Sequence, residues 1–133
     1  MMSRDLVALA AFIDSRISIS HDFDGNCCAR YVLGAVEAQF GYAPELPVTW
    51  STARGAKRAI ATLGGFEATV DRLFQRIDPA QAVFGDIAGV ACPVLGFHVM
   101  LVEGQTLVAP GECGNTRLPR TRMLAAWSAE PVR

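Results

Sequence analysis

The sequence predicts an α+β fold in which N-terminal helices pack on one side of a small antiparallel sheet. Apolar residues recur at helical spacing from Leu6 to Ile77, and after Gln81 the pattern changes to short β-rich runs separated by Gly and Pro. The chain has 133 residues, 51% of them hydrophobic and 19% charged, enough for one packed core, so residues 1–133 are read as a single domain.

Each element follows from local chemistry. Ser3 or Asp5 can cap a first helix whose Leu6, Leu9, Ala10 and Ile13 share one face, ending near Arg16. Asp22, Asp24, Gly25 and Asn26 make Ser18–Asn26 a polar loop. A second helix is expected from about Cys27 to Phe40, with Gly41 in the C′ position. Its apolar residues wrap most of the circumference, the mark of a central, buried helix. Pro44 and Pro47 make the next connection extended. Ser51 or Thr52 then caps a third helix whose Ala56, Ala59, Ile60 and Leu63 face the core, and Gly64-Gly65 stop it. A fourth helix, with Phe66, Val70, Leu73, Phe74 and Ile77 as its stripe, should end before Pro79. Strands are expected at Ala82–Phe84, Ile87–Ala91, Phe97–Val102 and Thr106–Ala109, with Glu103-Gly104-Gln105 as a tight hairpin between the last two. Leu124–Val132, which holds Trp127, reads as a strand or a short helix.

Composition excludes several functions. Twelve basic residues against thirteen acidic ones give a net charge of −1, with no like-charged run longer than two, so no nucleic-acid partner is expected. Leu6–Ile13 is a short apolar run between Asp5 and Asp14 with no small-residue cleavage site after it, so neither an export signal nor a membrane span is expected. The four cysteines (Cys27, Cys28, Cys92, Cys113) show no CxxC spacing, which argues against a disulfide framework or a zinc site. No metal and no cofactor are expected.

Two residues carry the strongest chemistry. Cys28 falls in the first turn of the second helix, where unpaired N–H groups and the macrodipole favour thiolate. On position alone the commoner reading of such a cysteine is a small core residue. His98 opens the apolar run His98–Val102, where an imidazole needs a partner, either a thiolate or a backbone carbonyl. The second histidine, His21, lies in the polar loop, solvated or lining a cleft. Asp86 after Gly85 reads as a turn residue before an acid catalyst, and Cys92 as packing. Cys113 has no assigned role, and Arg117, Arg120 and Arg122 read as a solvated edge.

Asn26-Cys27-Cys28-Ala29-Arg30-Tyr31-Val32 resembles the Asp-Cys-Ser-Gly-Phe-Val signature of NlpC-type, papain-like cysteine peptidases. Gly85-Asp86-Ile87 resembles their Gly-Asp-Leu turn, and His98-Val99-Met100-Leu101-Val102 their His-Val-Gly-Ile-Tyr strand. The layout is closest to the short NlpC-like proteins of tailed phages, prophages and gene transfer agents. Phe23, Cys28-Ala29, Ser51-Thr52-Ala53-Arg54-Gly55-Ala56, Leu63-Gly64-Gly65 and Ala126-Trp127 follow that order over nearly the whole chain.

The resemblance implies a Cys28–His98 dyad that cleaves peptides of bacterial peptidoglycan. It also implies a place in a virion tail tip among other tail-hub proteins, reached without a signal peptide. Three departures matter. Cys27 stands where the family has Asp, making it a competing nucleophile. Phe23 replaces a tryptophan. The residue that orients the imidazole should lie at about Val108, which cannot hydrogen-bond, leaving Gln105, Glu112, Asn115 or a carbonyl as substitutes. The alternatives are an inactive plug or adaptor of the tail hub, or an acyltransferase or amidase using the same two residues.

Overall fold

The computed structural model describes residues 3–93 and 96–131. Four helices come first: α1 (Leu6–Ser15), α2 (Cys28–Phe40), α3 (Ala53–Thr62) and α4 (Phe66–Leu73). Six strands follow: β1 (Phe74–Ile77), β2 (Ile87–Cys92), β3 (Gly96–Val102), β4 (Thr106–Gly111), β5 (Gly114–Pro119) and β6 (Ala125–Pro131). They form one antiparallel sheet in the order β1-β6-β2-β3-β4-β5. The run from β2 to β5 is a meander; β6 then returns to the free edge of β2, and β1 closes the sheet outside it. The α+β expectation holds.

The helix ends lie where their caps put them. Asp5 accepts the Ala8 N–H at 2.9 Å, and Thr52 accepts the Gly55 N–H at 3.0 Å. Gly41 ends α2 at φ 83°, a conformation that costs a residue with a Cβ more than it costs glycine. Helix α2 is the central one, burying Tyr31, Val32, Ala35, Val36 and Phe40. It packs with α4 against one face of the sheet, where Ile87, Val99 and Trp127 meet it. The opposite face is lined by Ala88, Val90, Met100, Val102, Leu107 and Ala126, and by Ala82 from the segment before β2.

Three expectations change. The fourth helix stops at Leu73, and Phe74–Ile77 is a strand paired with β6 (Arg76 opposite Trp127, Ile77 opposite Ala126). Phe74 and Ile77 belong to the cores on opposite faces of the sheet, which a helical stripe would not allow. Asp71 fixes this junction by accepting the Trp127 indole N–H at 2.8 Å and a two-pronged hydrogen bond from Arg76.

Ala82–Phe84 is not a strand. It follows a 3-10 turn at Pro79–Gln81, and the Arg120 guanidinium donates to the carbonyls of Pro79 (2.9 Å), Ala82 (2.7 Å) and Gly104 (3.0 Å). Arg120 is therefore a clamp and not part of a solvated edge; Arg117 pairs with Glu103 at 2.8 Å. The region around Arg117 is strand β5, paired on one side only, with Pro119 at its end where a missing N–H costs little. The last segment is strand β6, and Val132, the end of the expected run, lies outside the described residues.

Gly85-Asp86 is a fixed turn. Gly85 has φ +97°, and a Cβ there would collide with Gln39 and Leu9. Asp86, 2% exposed, pairs with Arg4 at 2.6 Å and accepts the Val83 and Ala129 N–H groups at 2.9 and 3.0 Å. Its oxygens are thus committed to structure, as the turn reading expects. Among the described residues no helix is long and apolar enough to cross a membrane.

Candidate active site

The loop before α2 is held rigidly. Asp22 and Asn26 exchange backbone hydrogen bonds of 3.1 and 2.8 Å, and the buried Asn26 amide donates to the carbonyls of Ile19 and Ser20. Arg30, on the first turn of α2, donates to Phe23 O at 2.7 Å and Trp50 O at 3.2 Å, with its guanidinium 5.5 Å from the Trp50 ring centre. These contacts set two aromatic walls around the start of α2. Between them is a partly enclosed cavity of about 310 Å³.

Cys28 and His98 both line this cavity. The ladder of β3 with β4 pairs only Leu101 with Val108 and Val102 with Leu107, so the first half of β3 has a free edge. The cavity lies in that gap, with His98 on one side and Pro110, Gly111 and Glu112 on the other. The Cys28 sulfur lies against the backbone N–H groups of Ala29 and of Val99, the residue after His98. No hydrogen bond joins the sulfur to the imidazole, and the His98 ring has no hydrogen-bond partner among the described residues.

The electrostatics depart from what position alone implies. A helix N-terminus should depress the thiol pKa, yet burial, reinforced by the neighbouring Cys27 and Cys92, pushes Cys28 up to about 12. Desolvation outweighs the dipole and the two N–H contacts because the thiol, though it touches the cavity, is surrounded by protein. His98 moves below its ordinary value, first through burial and then through the nearby His21. Both members of the pair are therefore neutral near pH 7.

Cys27 is the N-cap of α2, 2% exposed, and its sulfur accepts from Arg30 at 3.8 Å. It shares the cavity wall with Cys28, so both thiols are at the site. Val108 is not the position facing His98: the register sets it opposite Leu101, fully buried against Leu9 and Tyr31. The β4 residues that share the cavity with His98 are Pro110 and Gly111 instead. Of the suggested substitutes, Asn115 is turned away, donating to Ile13 O at 3.0 Å, and Gln105 sits at the β3–β4 turn, where its carbonyl accepts the Arg120 N–H. Glu112 alone lines the cavity.

Two further residues line the cavity, His21 as the cleft alternative of its loop reading and Cys92 against expectation. His21, in the polar loop, donates its backbone N–H to Gly111 O at 2.7 Å and sets its ring edge-on to Phe23, centroids 4.5 Å apart. Cys92, read as packing, ends β2 at the cavity wall. Among the described residues no group of three His, Cys, Asp or Glu side chains is placed to hold a metal ion.

Comparison with known proteins gives one family. No curated protein matches the chain. A family model described as a domain of unknown function, DUF6950, matches residues 4–129, and the chain belongs to that family.

Proposed function

We propose that the protein is an NlpC-like cysteine peptidase with Cys28 as nucleophile and His98 as general base, acting on peptides of bacterial peptidoglycan at a phage tail tip. The observation that carries the chemistry is the shared cavity: a thiol at the mouth of a buried helix and an imidazole on the adjoining strand face the same space. The motif order described above supports the cell-wall substrate and the tail location.

A neutral pair dictates the order of proton transfers. As Cys28 attacks the substrate carbonyl, the neutral His98 ring takes the thiol proton, so the sulfur is activated only when a substrate is in place. The unpaired N–H groups of the first turn of α2 receive the developing oxyanion. The imidazolium then gives its proton to the leaving amine, and water, deprotonated by His98, releases the product from the thioester.

Purified protein incubated with muropeptides should release shorter peptides, detected by mass spectrometry, and Cys28→Ala should release none. An inert wild type that still binds tail-hub proteins would favour a second reading, a catalytically silent hub component. One observation favours that reading: among the described residues no side chain hydrogen-bonds to the His98 ring to orient it.

A further inference from the structure

We infer that the cavity beside Cys28 receives an uncharged, apolar side chain of the residue whose carbonyl is attacked, and excludes a carboxylate. The inference takes from the proposed function only the position of the nucleophile. Beside the two histidines and the thiols, the walls are apolar and come from five places in the fold: Phe23 before α2, Trp50 before α3, Ala56 and Ile60 on the inner face of α3, Phe66 opening α4, and Pro110 on β4. At about 310 Å³ the space is roughly twice a cavity known to hold benzene, enough for an aromatic or branched aliphatic group.

What the walls lack is as informative. No Lys or Arg is among the described residues that line the cavity. Arg30 is committed to the Phe23 and Trp50 carbonyls, and α3 exposes Arg54, Lys57 and Arg58 while burying Ala56 and Ile60. Among the described lining residues the one Asp, Glu, Lys or Arg is Glu112, an acid, which repels a second carboxylate. A carboxylate entering here would lose its hydration with no cation to replace it, whereas an apolar group gains by leaving water. A peptidoglycan peptide would then present an alanyl carbonyl to Cys28, with its carboxylates along the open mouth of the cavity.

The test uses the full chain carrying Cys28→Ala, so that binding is read without turnover. N-acetyl-phenylalanine amide and N-acetyl-glutamate amide are titrated at pH 7.5 while Trp fluorescence is followed, Trp50 being on the wall. The phenylalanine amide should bind at least tenfold more tightly, and equal or reversed affinity overturns the inference. In the same background Glu112→Lys, a change at an exposed position, should improve binding of the glutamate amide at least threefold. No change there would place binding elsewhere and would also overturn it. Turnover of the matching p-nitroanilides by wild-type protein separates the two readings. The predicted preference in binding without any cleavage removes the peptidase and leaves the apolar cavity standing. Cleavage that ignores the side chain does the reverse.

Discussion

Asp86 and the Cys28–His98 pair sit at opposite extremes of polar satisfaction. Asp86 is buried with Arg4 and two backbone N–H groups around its oxygens. Cys28 is held neutral by burial, and the His98 ring has no hydrogen-bond partner among the described residues. A polar group whose bonds are complete holds the fold together. One left incomplete beside a cavity is free to bond to something that enters. The contrast sorts structure from chemistry: Asp86 is fully buried before β2, whereas Cys28 and His98 are half-buried at the cavity wall.

Substitutions can break that contrast. The largest effect is on turnover: Cys28→Ala should abolish peptide release while moving the urea midpoint little, by about 1 kcal/mol or less of stability. Asp86→Ala should act the other way. It leaves Arg4 without its anion and the Ala129 N–H unpaired in the interior, for a loss of about 3–5 kcal/mol by urea denaturation. Turnover per folded molecule should be retained.

Smaller effects sharpen the electrostatic side. Folding raises Cys28 from its ordinary 9.0 to about 12, and Tyr31 from 10.0 to about 12, chiefly by burial. The unfolded chain therefore gives up these protons first, so stability is intact below pH 9 and falls as pH rises from 9 towards 12. Thermal melts across that range should show the decline, and Cys28→Ala should blunt it. His98 has the opposite sign. Its folded value is depressed, so the unfolded chain takes up the proton first and stability is lost as pH falls below about 6.5. Turnover should fall on the same side, because a protonated ring cannot accept the thiol proton. The smallest effect is at Arg120→Ala, which frees three carbonyls at the edge of the sheet and should cost about 1–2 kcal/mol with no change in turnover.

The sequence made the helical half and the site legible because local chemistry decides both. Asp5, Thr52 and Gly41 sit where their caps require, and Cys28 lies in the first turn of α2, so the position of its sulfur follows from the helix start. What was not legible depended on partners distant in the chain. Phe74 and Ile77 fit a helical stripe until strand β6 pairs with them, and Ala82–Phe84 looks extended until Arg120 takes its carbonyls. Polar β5 has no alternating signal and exists because β4 offers it an edge. The same reason hid the cavity's outer wall. His21 and Glu112 were among the sequence's alternatives, but what brings them to the same cavity as His98 is that β3 and β4 part before Leu101, and no local pattern records where a ladder stops. The direction of the Cys28 shift was missed likewise, since the helix start is local but the surrounding protein mass is not.

The central claim is that His98 activates a neutral Cys28 thiol across this cavity. Its most direct test is the rate at which p-nitrophenyl butyrate acylates Cys28 at pH 7.5, followed by intact mass, in the wild type and in His98→Ala. The account predicts that the variant slows at least a hundredfold, the scale of a positioned base. Acylation at an undiminished rate would mean that the sulfur acts without the imidazole, and the dyad would be refuted.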